Sequence, residues 1–177
     1  YLLDIGEMKR GTEGITSAVW GDFDNDGFLD AVVGADRGLL GLYRNLAGQG
    51  FTNMASAFST PVTNTGPLYA GDYDNDGWLD LSTFSMTSGS STPPGLYRNN
   101  GNGSFTLDDV GSPTSVVGGW HVLGDYNNDG FLDIFVGFGP NKRNLLFRHN
   151  GNSNHWLKLK LAGTRGNANL QASVAAG

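Results

Sequence analysis

The chain has 177 residues with 28 glycines, 6 prolines and no cysteine, which excludes disulfides, zinc–thiolate sites and thiol nucleophiles. Glycine is about twice as frequent as its usual share of about 7 %, and such frequent interruptions exclude long helices and a membrane span, leaving an all-β protein of short strands. The net charge of −6 disfavours nucleic acid as a partner, because the acidic residues concentrate at three points and no dense basic cluster offsets them.

Three segments of the sequence align with one another without gaps. They span 21–34, 71–84 and 124–137 and read GDFDNDGFLDAVVG, GDYDNDGWLDLSTF and GDYNNDGFLDIFVG. Eleven of the 17 acidic residues fall in these segments. An apolar stretch leads into each acidic motif and a second one follows it. Each motif is therefore predicted to connect two strands.

Two further repeated segments of the sequence predict the remaining strands. A Leu-Tyr-Arg or Leu-Phe-Arg strand is predicted at 41–45, 95–99 and 145–150. A Phe-Thr strand follows two of these copies, after a turn that in the second repeat contains the hairpin signals Asn100-Gly101 and Asn102-Gly103. Residues 1–5 are read as the same strand of a preceding unit.

Four short antiparallel strands in about 50 residues, repeated along the chain, are typical of the blades of a β-propeller. We expect three blade repeats within 1–150, at about 1–50, 51–104 and 105–150, and a separate C-terminal strand segment at 151–177. Three units fall short of the four to eight blades of a closed propeller. The prediction is a partial or open propeller, completed by further repeats or by self-association through its open edges.

The acidic motif has the form D-x-[DN]-x-D-G-x-x-D, which places oxygen ligands at positions 1, 3, 5 and 9 and a turn-forming glycine at position 6. Hard oxygen donors without sulfur or imidazole select Ca²⁺ over transition metals, and Mg²⁺ usually keeps several waters instead of such a cage. We therefore predict three Ca²⁺ sites, each with a main-chain carbonyl at position 7. The predicted ligands are Asp22, Asp24, Asp26, Phe28 and Asp30; Asp72, Asp74, Asp76, Trp78 and Asp80; and Asp125, Asn127, Asp129, Phe131 and Asp133.

Two other interpretations of the motif are weaker. Plain Asp-Gly turns need one or two such residues, not four at fixed spacing three times over. An EF-hand needs Glu at position 12, where this chain has Val33, Thr83 or Val136. The motif therefore favours calcium loops between strands.

With these motifs the sequence resembles the FG-GAP or VCBS family of calcium-binding β-propeller repeats over about residues 1–150. The resemblance implies an extracellular or cell-surface protein, as in integrin α-chain heads and bacterial secreted proteins. The tail at 154–164 resembles the start of an ASPIC/UnbV segment. By its own alternation of apolar residues with Lys158 and Lys160, 156–161 predicts a half-buried strand.

No catalytic motif appears in the sequence, so we expect a non-catalytic module that binds a protein or glycan. The alternatives are a part of a secreted polysaccharide-active enzyme, such as a propeller-fold lyase, and a structural spacer in a large surface protein. Packing or turn roles are expected for His121, His149 and His155. Burial in blade cores is favoured over stacking on sugars for Trp78, Trp120 and Trp156.

Overall fold

The computed structural model describes residues 14–35, 40–58, 65–85, 95–108, 119–138 and 143–155, together with the backbone of two later strands. Among these residues the protein is all-β, and none of its segments forms a helix that is long and apolar enough to cross a membrane. The strands are β1 (Ile15–Gly21), β2 (Asp30–Ala35), β3 (Gly41–Asn45), β4 (Phe51–Met54), β5 (Thr65–Gly71), β6 (Asp80–Ser85), β7 (Gly95–Asn99), β8 (Phe105–Asp108), β9 (Gly119–Gly124), β10 (Asp133–Phe138), β11 (Leu145–Phe147), β12 (Leu157–Ala162) and β13 (Gln171–Ala176).

These strands form separate antiparallel sheets in chain order. The first sheet is β1-β2-β3-β4, the second is β5-β6-β7-β8, and the third is β9-β10-β11. The predicted all-β fold of open, propeller-type blades is confirmed. The third sheet has three strands among the described residues, where the repeat pattern predicts a fourth.

The ends of the sheets fall slightly beyond the approximate repeat limits of 50 and 104. The first sheet extends to Met54 and the second to Asp108, because the Phe-Thr strand of each repeat pairs with the Leu-Tyr-Arg strand before it. The turn between β7 and β8 uses the two predicted Asn-Gly pairs, with φ of 70° at Gly101 and 81° at Gly103. Glycine adopts such angles without steric cost.

Each acidic loop closes the same end of its sheet. Gly21 pairs with Asp30, Gly71 with Asp80 and Gly124 with Asp133, so the loops 22–30, 72–80 and 125–133 are repeats of one hairpin connection. We call them the first, second and third loops.

The first two sheets share one apolar core. Val32 and Leu42 of the first sheet pack with Leu68, Leu81 and other residues of the second. The turn after β4 adds to this core, because Phe58 stacks on Phe105 with ring centroids 5.1 Å apart. Burial of these side chains provides the main attraction between the two sheets.

The second and third sheets meet through a more polar contact. His121 of β9 is 1 % exposed, and its Nε2 lies 2.8 Å from Ser82 Oγ of β6. Tyr73, Leu96, Ile134 and other residues complete the apolar part of this contact. Beside it lies a cleft of about 660 Å³, lined by both sheets.

The structure contains a strand where one is predicted in the tail, while the half-burial of that strand and the separate C-terminal segment stay predictions. Strand β12 covers Leu157–Ala162 and pairs with β13 in a two-stranded sheet. The side chains of this hairpin and the strand predicted at 1–5 lie outside the described residues.

Candidate metal centres

The three loops have the same backbone conformation. The fourth residue of each, Asn25, Asn75 or Asn128, has φ between 56° and 65°, and the glycine at position 6 has φ between 89° and 92°. Asparagine and glycine are the residues that adopt left-handed angles most readily. This pair of left-handed residues explains why the motif contains Asn-x-Gly in all three loops.

The first carboxylate of each loop organises the turn. In the first loop, Asp22 accepts backbone hydrogen bonds from Asp26 N at 3.0 Å and Gly27 N at 2.9 Å. Asp72 and Asp125 accept the equivalent bonds in the other loops. Each such carboxylate keeps lone pairs that a cation can use.

The ninth carboxylate is buried and connects the loop to the third strand. Asp80 is 1 % exposed and accepts hydrogen bonds from Tyr73 N at 3.1 Å and Asn99 N at 2.8 Å. Asp30 and Asp133 make the same pair of bonds. The ninth carboxylate is therefore part of the fold as well as a predicted ligand.

Positions 1, 3 and 9 converge in the first two loops. The carboxylates of Asp22, Asp24 and Asp30, which we call the first cluster, have ligand atoms that all lie within 4.8 Å of one another. Asp72, Asp74 and Asp80 form the second cluster in the same way. Three convergent carboxylates with no nitrogen or sulfur donor fit Ca²⁺.

Other predicted ligands lie next to these clusters. Asp26 and Asp76, at position 5, accept hydrogen bonds from Phe28 N and Trp78 N, both at 2.9 Å. Position 5 is not a member of either cluster. The carbonyl ligands proposed for Phe28, Trp78 and Phe131 stay predictions.

The third loop differs because Asn127 replaces an aspartate. Asn127 Nδ2 donates to Asp129 Oδ2 at 2.7 Å. Hydrogen bonds from Phe131 N and from Asn127 lower the pKa of Asp129. Within the described residues this loop forms no group of three convergent acidic side chains. A third calcium site, with Asp125 and Asp133 as further ligands, stays a prediction.

Burial raises the pKa of several loop carboxylates. Desolvation is the largest cause at Asp30, Asp74 and Asp80, and at Asp80 it raises the pKa to about 7. Neighbouring carboxylates raise all three further. A bound cation would remove this repulsion, so the loops favour a positive charge.

Sequence analysis did not predict the arginine beside the first loop. The guanidinium of Arg44 contacts Asp24, and its Nη2 lies 3.5 Å from Asp26 Oδ2. Arg148 reaches Asp129 at 3.7 Å in the third loop. The sequence feature that could have predicted these contacts is the arginine that recurs in the third strand of each repeat.

Asparagine side chains around the loops were missed as well. The last residue of β7, Asn99, donates from Nδ2 to Phe23 O at 2.8 Å and to Leu79 O at 3.0 Å, which connects the first and second loops. Asn45 donates to Leu29 O within its own sheet. The repeated GLYRN sequence places an asparagine at the end of the third strand. Only the tertiary structure shows which carbonyl that asparagine contacts.

The predicted roles of the aromatic residues are partly wrong. Trp120 is 67 % exposed and does not lie in a blade core, because its strand faces solvent on that side. Trp78 is half-buried, and its indole covers Gly101 so closely that a Cβ there would lie 2.7 Å from the ring. Trp156 lies outside the described residues. The ring of His149 stacks on Phe131 with centroids 4.8 Å apart.

Comparison with known proteins identifies a family of repeats. The FG-GAP-like repeat family matches the chain at residues 22–82 and 85–136, which is more than half of its length and includes all three loops. The match ends before the tail, whose ASPIC/UnbV resemblance stays a prediction. None of the curated proteins matches this sequence.

Proposed function

The chain belongs to the FG-GAP-like repeat family, and from this we propose that it is a calcium-stabilised extracellular module that binds a protein or glycan and catalyses no reaction. The observation that supports the calcium site most directly is the pair of equivalent clusters, each with three carboxylates whose ligand atoms converge within 4.8 Å. The proposal of an extracellular location rests on the family resemblance.

The charge of the loops supports a bound divalent cation. The first two loops each hold four carboxylates and the third holds three. Three Ca²⁺ ions would neutralise the net charge of −6. An ion that binds only the folded state stabilises it by about 2.7 kcal/mol per site at a hundredfold excess over its Kd. The chain has no disulfides to stabilise its fold. Because the free energy of unfolding of a protein is small, the contribution of the ion would be large relative to it.

Thermal unfolding with and without chelator tests the calcium proposal. We expect a chelator to lower Tm, Ca²⁺ to restore it, and the same concentration of Mg²⁺ to restore it less. The control variant Asp109→Asn removes a negative charge outside the three loops. Its Tm should respond to calcium like that of the wild type. An unchanged Tm after chelation would show that calcium is not part of the fold.

The third sheet presents an apolar face that supports binding to a further sheet. Val122, Phe135 and Leu146 are neighbours across β9, β10 and β11, and each is between 44 % and 50 % exposed. The equivalent residues of the first sheet, Val32 and Leu42 among them, pack on the second sheet. We propose that a second copy of this chain, or a further blade, covers this face.

Light scattering tests this face. We expect self-association that Phe135→Lys abolishes, while Tyr126→Lys, also at an exposed aromatic residue, leaves it intact. A monomeric wild type at high concentration would exclude self-association.

Trp120 supports a glycan ligand, because an exposed indole can stack on a sugar ring. A screen of glycans and protein partners, with calcium and after chelation, tests this part of the proposal. Calcium-dependent binding that Trp120→Ala removes would support glycan recognition. Binding to no partner would favour the spacer alternative, and turnover of a polysaccharide would favour the enzyme alternative.

A further inference from the structure

Two asparagine side chains connect the three loops to one another. Asn25 Nδ2 in the first loop donates to Gly77 O in the second loop at 3.1 Å. Asn75 Nδ2 in the second loop donates to Gly130 O in the third loop at 3.0 Å. Both asparagines are at position 4 and both acceptors are at position 6. The two bonds are therefore repeats of one contact between successive loops.

The accepting peptide lies between two predicted ligands. In the second loop, the peptide between Gly77 and Trp78 accepts from Asn25 through its carbonyl. Its N–H, which belongs to Trp78, donates to Asp76 Oδ1 at 2.9 Å. The peptide between Gly130 and Phe131 is held in the same way by Asn75 and Asp129. The orientation of this peptide therefore affects the carboxylate at position 5, which accepts its N–H, and the backbone of the residue at position 7.

We propose that Asn25 is a positioning residue for calcium in the second loop, that Asn75 has the same role for the third loop, and that neighbouring sites are therefore coupled. This inference rests on the proposed calcium sites. A side chain from the preceding loop fixes the peptide that supports the ligands, so the loop loses less conformational freedom when it binds the ion. Because coupling between two sites is reciprocal, an ion in the second loop also orders Asn25 and the first loop.

The backbone conformation alone does not require this side chain. Glycine adopts the left-handed φ of 56° at Asn25 and 58° at Asn75 at no steric cost. An Asn→Gly substitution therefore keeps the turn and removes the bond to the next loop, and its added flexibility acts on the residue's own loop. This separates a role within the residue's own loop from a role in the following loop.

Terbium luminescence can distinguish the second loop from the other two. Tb³⁺ replaces Ca²⁺ at oxygen sites, and Trp78 at position 7 can sensitise its emission, whereas the other loops have Phe28 and Phe131 there. Trp78→Phe identifies the part of the signal that comes from the second loop. The experiment compares Tb³⁺ affinity and its competition by Ca²⁺ in the wild type, Asn25→Gly and Asn75→Gly.

We expect Asn25→Gly to weaken the second site about three- to tenfold, the size expected for loss of one neutral hydrogen bond. Asn75→Gly, the matched change inside the second loop, should alter this site much less. If instead Asn75→Gly weakens the second site and Asn25→Gly does not, each asparagine acts only in its own loop. The coupling is then wrong while the calcium proposal stands.

Two controls keep the outcomes distinct. Melting in saturating calcium checks that each variant folds, and Asn25→Asp removes the donor while it retains the side-chain size and left-handed tolerance. Because its added negative charge also attracts the ion, we expect Asn25→Asp to weaken the second site less than Asn25→Gly does. An unchanged affinity in Asn25→Gly would overturn the coupling. If wild-type protein binds neither Tb³⁺ nor Ca²⁺, the calcium proposal itself fails and the coupling falls with it.

Discussion

The first and second loops have nearly the same sequence, yet their charged neighbours differ. In the first loop Arg44 contacts Asp24 and lies near Asp26. In the second repeat the equivalent Arg98 lies 3.7 Å from Asp108, at the end of β8. Asp108 also accepts a short hydrogen bond from Tyr73 Oη. The motif thus fixes the predicted ligands, whereas residues elsewhere in the sheet determine whether an arginine side chain lies beside them.

The second loop accepts bonds from more asparagine side chains outside its own sheet than the first loop, which accepts one from Asn99. It receives the side chain of Asn25 from the first loop, and Asn152 and Asn154 both donate to Asp74 O, at 2.6 Å and 2.9 Å. Burial raises the pKa of Asp80 to about 7. The two clusters therefore offer the same carboxylates in different surroundings, which makes them a matched pair for experiments.

The largest expected effect comes from the ninth carboxylates. Asp80→Ala leaves the N–H groups of Tyr73 and Asn99 buried without their acceptor, which costs about 2–6 kcal/mol at about 1–3 kcal/mol for each group. Asp30→Ala should cost less, because Asn45 N is only partly buried. Urea unfolding without calcium measures both.

Position 5 supplies the control for this comparison. Asp76→Ala removes one hydrogen bond in an exposed part of the loop and should cost little without calcium. If Asp76→Ala and Asp80→Ala destabilise the calcium-free protein equally, the ninth carboxylate has no separate structural role.

The calcium-free protein should have an unusual pH dependence. The pKa of folded Asp80 is about 7, above the value of about 3.9 expected in the unfolded chain. Its contribution to stability is therefore present below pH 4 and is lost as the pH rises through 7. Burial lowers the pKa of His121 to about 4, which acts in the opposite direction over nearly the same range. We therefore expect the contribution of Asp80 to appear as the difference in pH dependence between wild-type protein and Asp80→Asn, both without calcium.

Substitutions in the two loops separate the sources of this slope. Asp80→Asn should remove more of the fall than Asp30→Asn, because the pKa of Asp80 is raised to about 7 and that of Asp30 is raised less. Calcium should oppose the fall in wild-type protein, since the bound ion favours the charged carboxylates. If the calcium-free wild type and Asp80→Asn have the same pH dependence, this account is contradicted.

A smaller difference is expected from the two arginines. Arg44→Gln removes a positive charge beside the first cluster and should tighten calcium there by up to about fivefold, since exposed ion pairs contribute about 0.2–1 kcal/mol. Arg98→Gln should change the second site less, because its closest acidic partner is Asp108. Calorimetric titration measures both, and equal effects would show that the position of the guanidinium is unimportant.

The smallest effect is expected in the third loop. Asn127 leaves this loop with one carboxylate fewer, so it should release calcium first when chelator is added. Asn127→Asp should tighten it modestly, because the added charge attracts the ion but also repels Asp129 once the bond from Asn127 Nδ2 is lost. If the third site is the tightest and Asn127→Asp is neutral, the rigidity of the loop outweighs its charge.

The fold was predictable because the information is local and repeated. Alternating apolar residues set the strands, Asn-Gly pairs set the turn between β7 and β8, and the Asp motif sets the connection before β2, β6 and β10. Exposure of Trp120 was not predictable, because its strand is apolar on both sides and only the arrangement of the sheets decides which side faces solvent.

The sequence by itself determined the loops: the spacing of the carboxylates and the left-handed Asn and Gly residues follow from the chemistry of a short segment. Only the tertiary structure decided what surrounds each loop. The contacts of Arg44 and Arg98 and the bond from Asn25 to Gly77 join residues 10 to 52 positions apart. The bond from Asn99 to buried Asp80 spans 19 positions. Such contacts follow from the packing of one sheet on the next, and a local motif contains no information about that packing.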